Sequence, residues 1–64
     1  MTDEYIIKGM EDNYQDAKYD SKLILAAADR IHELADLCKT YDRMSKCFER
    51  YLWRVGLLPF DDDN

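Results

Sequence analysis

Apolar residues recur along this chain at helical spacing, and strand spacing does not fit them. With heptad position a at Met10, Ala17, Ile24, Ile31, Cys38, Ser45 and Leu52, position d falls on Ile6, Asn13, Asp20, Ala27, Leu34, Tyr41, Phe48 and Val55. From Ile24 to Val55, Ser45 alone breaks the apolar a/d pattern. Position f is charged throughout that span, at Lys22, Asp29, Asp36, Arg43 and Arg50. A strand has period two and cannot give this arrangement. No glycine or proline lies between Gly9 and Gly56 to interrupt it. The pattern therefore predicts a long amphipathic helix over about 20–55. A hairpin broken near 40–42 is the alternative, because Thr40 and Asp42 favour turns and caps.

The apolar stripe is wider than a two-stranded seam requires. Leu23, Leu37, Met44 and Tyr51 fall at g, and Ala28 and Ala35 at e. Such width suits a bundle, in which each helix touches two neighbours. The chain has 64 residues, a size at which one helix has no core of its own. The expected fold is an all-α single domain over 1–64, built as an antiparallel dimeric helical bundle. Its dimer core is read as Ile24, Ala27, Ile31, Leu34, Cys38, Tyr41, Phe48, Leu52 and Val55.

Both ends read differently from the middle. Asn13 and Asp20 sit at d, so the phase decays over residues 1–19. Tyr5-Ile6-Ile7 suits a short extended segment, whereas Ile6, Met10, Tyr14 and Ala17 form the face of a short helix interrupted near Gly9. The helical reading keeps the later phase and is favoured, with Asp20 or Ser21 as N-cap of the main helix. At the other end Gly56 suits the left-handed C′ position, with Leu57 at C″ opposite Leu52. Pro59 stops the helix, and residues 57–64 form a tail ending in Asp61, Asp62 and Asp63.

Charge adds direction to this picture. The net charge is −5 and the isoelectric point about 4.6. Acids concentrate early, at Asp3, Glu4, Glu11, Asp12, Asp16 and Asp20, and bases late, at Arg43, Lys46, Arg50 and Arg54. This order suits the helix dipole. It also suits antiparallel packing, because the acidic front would then lie against the basic back. No apolar run is long enough to span a bilayer, and the acidic start is unlike a signal peptide. Cys38 and Cys47 are nine apart, about 13 Å along a helix and too far to bridge. Free thiols in a reducing cytoplasm are expected.

Candidate chemistry is thin. His32-Glu33-Leu34-Ala35-Asp36 is a zinc-protease-like HExxH with aspartate in place of the second histidine, and no convincing third ligand accompanies it. An exposed helical histidine is the favoured reading of His32. Arg43 and Arg50 flank Cys47 and are expected to lower its pKa. One histidine, no glycine-rich loop and no paired nucleophile argue against an enzyme, and no cofactor is expected. Lys39, Arg43, Lys46, Arg50 and Arg54 make a basic stripe, but the acidic balance disfavours direct nucleic-acid binding.

The C-terminal cluster is more suggestive. Tyr51, Trp53, Arg54, Leu57, Leu58 and Phe60 combine the residue types that dominate interface hot spots, and they are read as the partner-binding set. The chain is expected to be a regulator that binds and modulates, by inhibition, another protein. Small acidic helical proteins of this kind commonly act as inhibitors or adaptors, phage accessory proteins among them. Two alternatives are an acidic DNA mimic, working through acids of residues 3–20, and a helical assembly subunit.

Overall fold

Three helices form among the described residues, where the favoured reading predicts a short N-terminal helix and one long one. A computed structural model describes residues 1–36 and 38–58. α1 spans Asp3–Asp16, α2 Ser21–Glu33 and α3 Cys38–Arg54, with no strand among the described residues. The chain measures 29 × 27 × 15 Å, whereas one helix over 20–55 would be about 54 Å long. The single long helix is thus replaced by two. The alternative break near 40–42 is also displaced, since Thr40, Tyr41 and Asp42 lie inside α3.

The break falls at Leu34–Asp36. Leu34 leaves the helical region at φ −89°, ψ 4°, and its N–H is shared between the carbonyls of Arg30, 2.9 Å, and Ile31, 3.2 Å. No glycine marks this turn. Leu34 stays on the apolar stripe and is 1 % exposed. Folding back here lets a short chain cover its own stripe, a gain in burial of about 25 cal/mol per Å² that an isolated long helix lacks.

Within residues 1–19 the helix α1 occupies Asp3–Asp16, and no extended segment forms at Tyr5–Ile7. Thr2 caps α1, its hydroxyl accepting from the Tyr5 N–H at 3.2 Å. α1 runs through Gly9 without interruption. A Cβ at Gly9 would lie 3.2 Å from Cδ1 of Leu23, so its missing side chain brings α1 close to α2. Asp20 caps α2 through the Leu23 N–H at 3.2 Å, as the sequence predicts. Leu57 N–H to Leu52 O, 2.8 Å, and Gly56 N–H to Trp53 O, 3.1 Å, form the expected Schellman motif with Gly56 at φ +85°.

α1 ends in the same way without a glycine. Lys18 N–H bonds Asn13 O at 3.1 Å and Ala17 N–H bonds Tyr14 O at 3.2 Å, while Ala17 sits at φ 55°, ψ 38°. A Cβ in this region costs about 1–2 kcal/mol. Ala17→Gly is expected to stabilise the protein by about 0.5–1 kcal/mol once glycine's larger unfolded-state entropy is subtracted. A shifted urea midpoint at constant m would register the gain. No change, or a loss, would contradict the left-handed assignment.

The core joins all three helices: Ile6, Ile7 and Met10 from α1, Leu23 and Ala27 from α2, Met44 and Tyr51 from α3, and Leu34 from the turn. Glu4 pairs with Arg43, and Tyr14 lies against Arg50 and Arg54, so contacts on α1 and α3 advance together. These two helices are therefore parallel, while Asp3–Arg30 and Gly9–Leu23 make α2 antiparallel to α1. The acidic front does meet the basic back, but within one chain and in parallel, not in the antiparallel sense expected from the charge order.

Asp3 is held by Arg30 through two hydrogen bonds, one of them 3.2 Å. The guanidinium lowers the Asp3 pKa. A carboxylate depressed in the folded state stabilises it above the unfolded pKa of about 3.9, and the contribution disappears as pH falls through the lower folded value. The stability gap between wild type and Asp3→Asn, followed by urea melts, is expected to close below about pH 4. A gap independent of pH would remove this ion pair from the account.

Candidate functional site

Two surfaces stand out among the described residues once the core is accounted for. The first is the outer side of the α2–α3 seam. α1 occupies the side of α3 that carries Arg43, Cys47, Arg50 and Arg54, as the Glu4 ion pair, the 3.9 Å Cys47 Sγ to Ile7 O contact and the Tyr14 stacking require. Helical periodicity then sends Tyr41, Ser45, Phe48 and Leu52 to the other flank, next to α2. Ile24, Ala28, Ile31 and Ala35 line the facing edge of α2 and the turn. Ala28 and Ala35 are exposed and the rest half-buried, and beside them Leu25 is 65 % exposed.

The nine residues read as a dimer core divide accordingly. Ala27 and Leu34 are buried inside the chain's own bundle. Ile24, Ile31, Tyr41, Phe48, Leu52 and Val55 pack half-buried against it. Cys38 is exposed at the start of α3, and not in a core. The folded chain thus covers part of the stripe itself and leaves a continuous apolar edge.

The second surface lies where the ends of α1 and α3 meet. Tyr14, Arg50, Trp53 and Arg54 line a cleft of about 460 Å³. The Arg50 guanidinium carbon is 5.3 Å from the centre of the Tyr14 ring, and that of Arg54 is 5.9 Å away. Arg54 Nε donates to the Tyr14 carbonyl at 3.1 Å. Trp53 is half-buried, and Leu57, just beyond the helix end, is 47 % exposed.

Within the partner-binding set, the structure therefore brings Trp53 and Arg54 into one cleft, with Leu57 and half-buried Leu58 beyond. Tyr51 does not belong with them. It is 0 % exposed, and its hydroxyl accepts from the Asp20 N–H at 2.9 Å and donates to the Lys18 carbonyl at 3.3 Å. Its work is to tie the α1–α2 turn to α3. Phe60 lies outside the described residues, as does the tail beyond Leu58.

Tyr14 and Leu25 were missed as surface residues. Tyr14 stands at heptad position e in the segment where the phase decays, so nothing local marks it as a platform for arginines on α3. Leu25 could have been found, because an apolar residue at position b faces away from the stripe.

The remaining candidates are dispersed. His32 and Asp36 are exposed near the end of α2, and no cluster of three or more His, Cys, Asp or Glu residues placed to hold a metal occurs among the described residues. Both cysteines are free thiols. The Cys47 pKa is raised, reversing the expectation drawn from its arginine neighbours. Burial is the largest cause and Glu11 adds to it, outweighing Arg50 and Arg43. A raised pKa keeps the thiol protonated and weakly nucleophilic. No described helix is long and apolar enough to cross a membrane. Comparison with protein-family models, curated proteins and solved structures returns no match.

Proposed function

We propose that this chain is a non-enzymatic regulatory protein that binds and inhibits another protein through the cleft of Tyr14, Arg50, Trp53 and Arg54. The observation that carries this reading is the stacking of two arginines on one tyrosine ring beside the protein's single tryptophan. Tryptophan, tyrosine and arginine are the side chains that most often dominate binding energy. Side chains already fixed by packing lose little freedom on association. Leu57 and Leu58 extend the contact with apolar area.

The apolar edge of α2 and α3 is the second part of the proposal, as the seat of a homodimer. A second copy seated there would cover Ile24, Ile31, Phe48 and Leu52 while leaving the cleft open at the end of the bundle. The reading places the protein in the cytoplasm, where Cys38 and Cys47 stay reduced. The DNA-mimic alternative is weakened by the pairing of Asp3 with Arg30 and Glu4 with Arg43, which neutralises part of the acidic front.

Affinity capture with the full chain, followed by reconstitution of the purified pair, tests the assignment. Trp53→Ala is expected to lose most of the binding with helicity retained. Charge reversal at exposed Asp12 and Asp16 is expected to change it little. The opposite ranking would transfer the function to the acidic front.

A further inference from the structure

The cleft also carries information about what it binds, a step that rests on the protein-binding reading above. Arg30 and Arg43 both have carboxylate partners, at Asp3, Glu33 and Glu4. Among the described residues Arg50 and Arg54 form no ion pair. Their two positive charges instead converge on one neutral ring. Of their N–H groups only Nε of Arg54 is committed among the described residues, to the Tyr14 carbonyl, which leaves the others for a ligand. Both guanidinium carbons lie within 5.9 Å of one ring centre, an anion in reach of both offsets their like charge, and the planar fork matches a carboxylate in bidentate fashion.

We propose that the Tyr14–Arg50–Trp53–Arg54 cleft recognises an acidic segment of the partner protein, taking aspartate or glutamate side chains between the two arginines. The cleft's size, about 460 Å³, accommodates a few side chains and no folded domain. The rings of Tyr14 and Trp53 give apolar walls, so an acidic residue beside an aliphatic or aromatic one fits best. Phosphate backbones fit less well. A nucleic acid following the basic face of α3 would cross the neighbouring groove, which Glu11 and Asp12 line together with Arg43, Lys46 and Arg50.

Trp53 is the chain's single tryptophan, so its fluorescence reports on the cleft directly. The intact protein is titrated with a short capped peptide of alternating glutamate and leucine, with its lysine counterpart, and with a single-stranded oligonucleotide of matched charge. Saturable change is expected with the acidic peptide alone. Binding should weaken about tenfold when salt rises from about 0.05 to about 0.5 M. Arg50→Gln with Arg54→Gln is expected to weaken it about tenfold or more. Should that double variant lose helicity by circular dichroism, Arg50→Lys decides, because it keeps the charge and loses the fork. A several-fold loss is expected there. Absence of saturation, equal binding of the lysine peptide, tighter binding of the oligonucleotide, or unchanged affinity in a folded arginine variant would each overturn the proposal. A partner still captured by the arginine variants, yet lost with Trp53→Ala, would leave the protein-binding reading standing and remove its acidic ligand.

Discussion

Tyr51→Ala leaves the protein largely unfolded at room temperature. Tyr51 is 0 % exposed and among the largest buried side chains. Truncating a buried aromatic residue to alanine costs about 3–5 kcal/mol. A 64-residue domain is expected near the low end of the usual 5–15 kcal/mol. The substitution also removes the hydroxyl that bonds Asp20 N–H and Lys18 O, freeing the α1–α2 turn from α3. Tyr51→Phe isolates the hydroxyl. It keeps the ring and is expected to cost about 1–2 kcal/mol, or about 4–16 °C in melting temperature. Circular dichroism melts of the two variants check both figures. A Tyr51→Ala protein melting within a few degrees of wild type would place Tyr51 outside the core.

Leu34→Asp is expected to abolish folding at every protein concentration, whereas Ile31→Asp abolishes self-association first. The two residues are one helical turn apart on the same sequence stripe, and a simple coiled coil would treat them alike. Here Leu34 is 1 % exposed at the point where α2 turns toward α3, while Ile31 is half-buried on the outer seam. Losing a buried leucine costs about 2–5 kcal/mol, and a buried unpaired carboxylate adds to that. Ile31→Asp keeps its new charge near water and is expected to retain most helicity. Sedimentation should then return 7.6 kDa for this variant and twice that for wild type. A folded Leu34→Asp protein would invalidate the three-helix core. A dimeric Ile31→Asp protein would remove the seam as the dimer contact.

These contrasts mark how far the chain could be read before folding. The helical class, the Asp20 cap and the Schellman end at Gly56 follow from local rules, and charge order gave the meeting of acidic front with basic back but not its parallel sense. Caps, glycine conformations and charge order act within a few residues or at long range without needing exact geometry. The partner-binding set was legible in part, since Trp53 and Arg54 are recognisable by type. Tyr51 was not, because an aromatic residue at position g looks the same whether it faces a neighbour or solvent.

Where the chain breaks, and which helices run side by side, only the tertiary structure decided. Leu34 carries the same heptad phase whether the helix continues or stops, and no turn residue distinguishes the two. The choice is made by α1, whose Ile6, Ile7 and Met10 need a cover. Folding α2 back onto it and returning with α3 buries these residues together with part of the stripe. The same packing sets Tyr14 beneath Arg50 and Arg54, about forty residues away along the chain. By itself the sequence determined helices, their caps and a surplus of apolar surface. Burial of that surface within one chain determined the fold and placed the cleft.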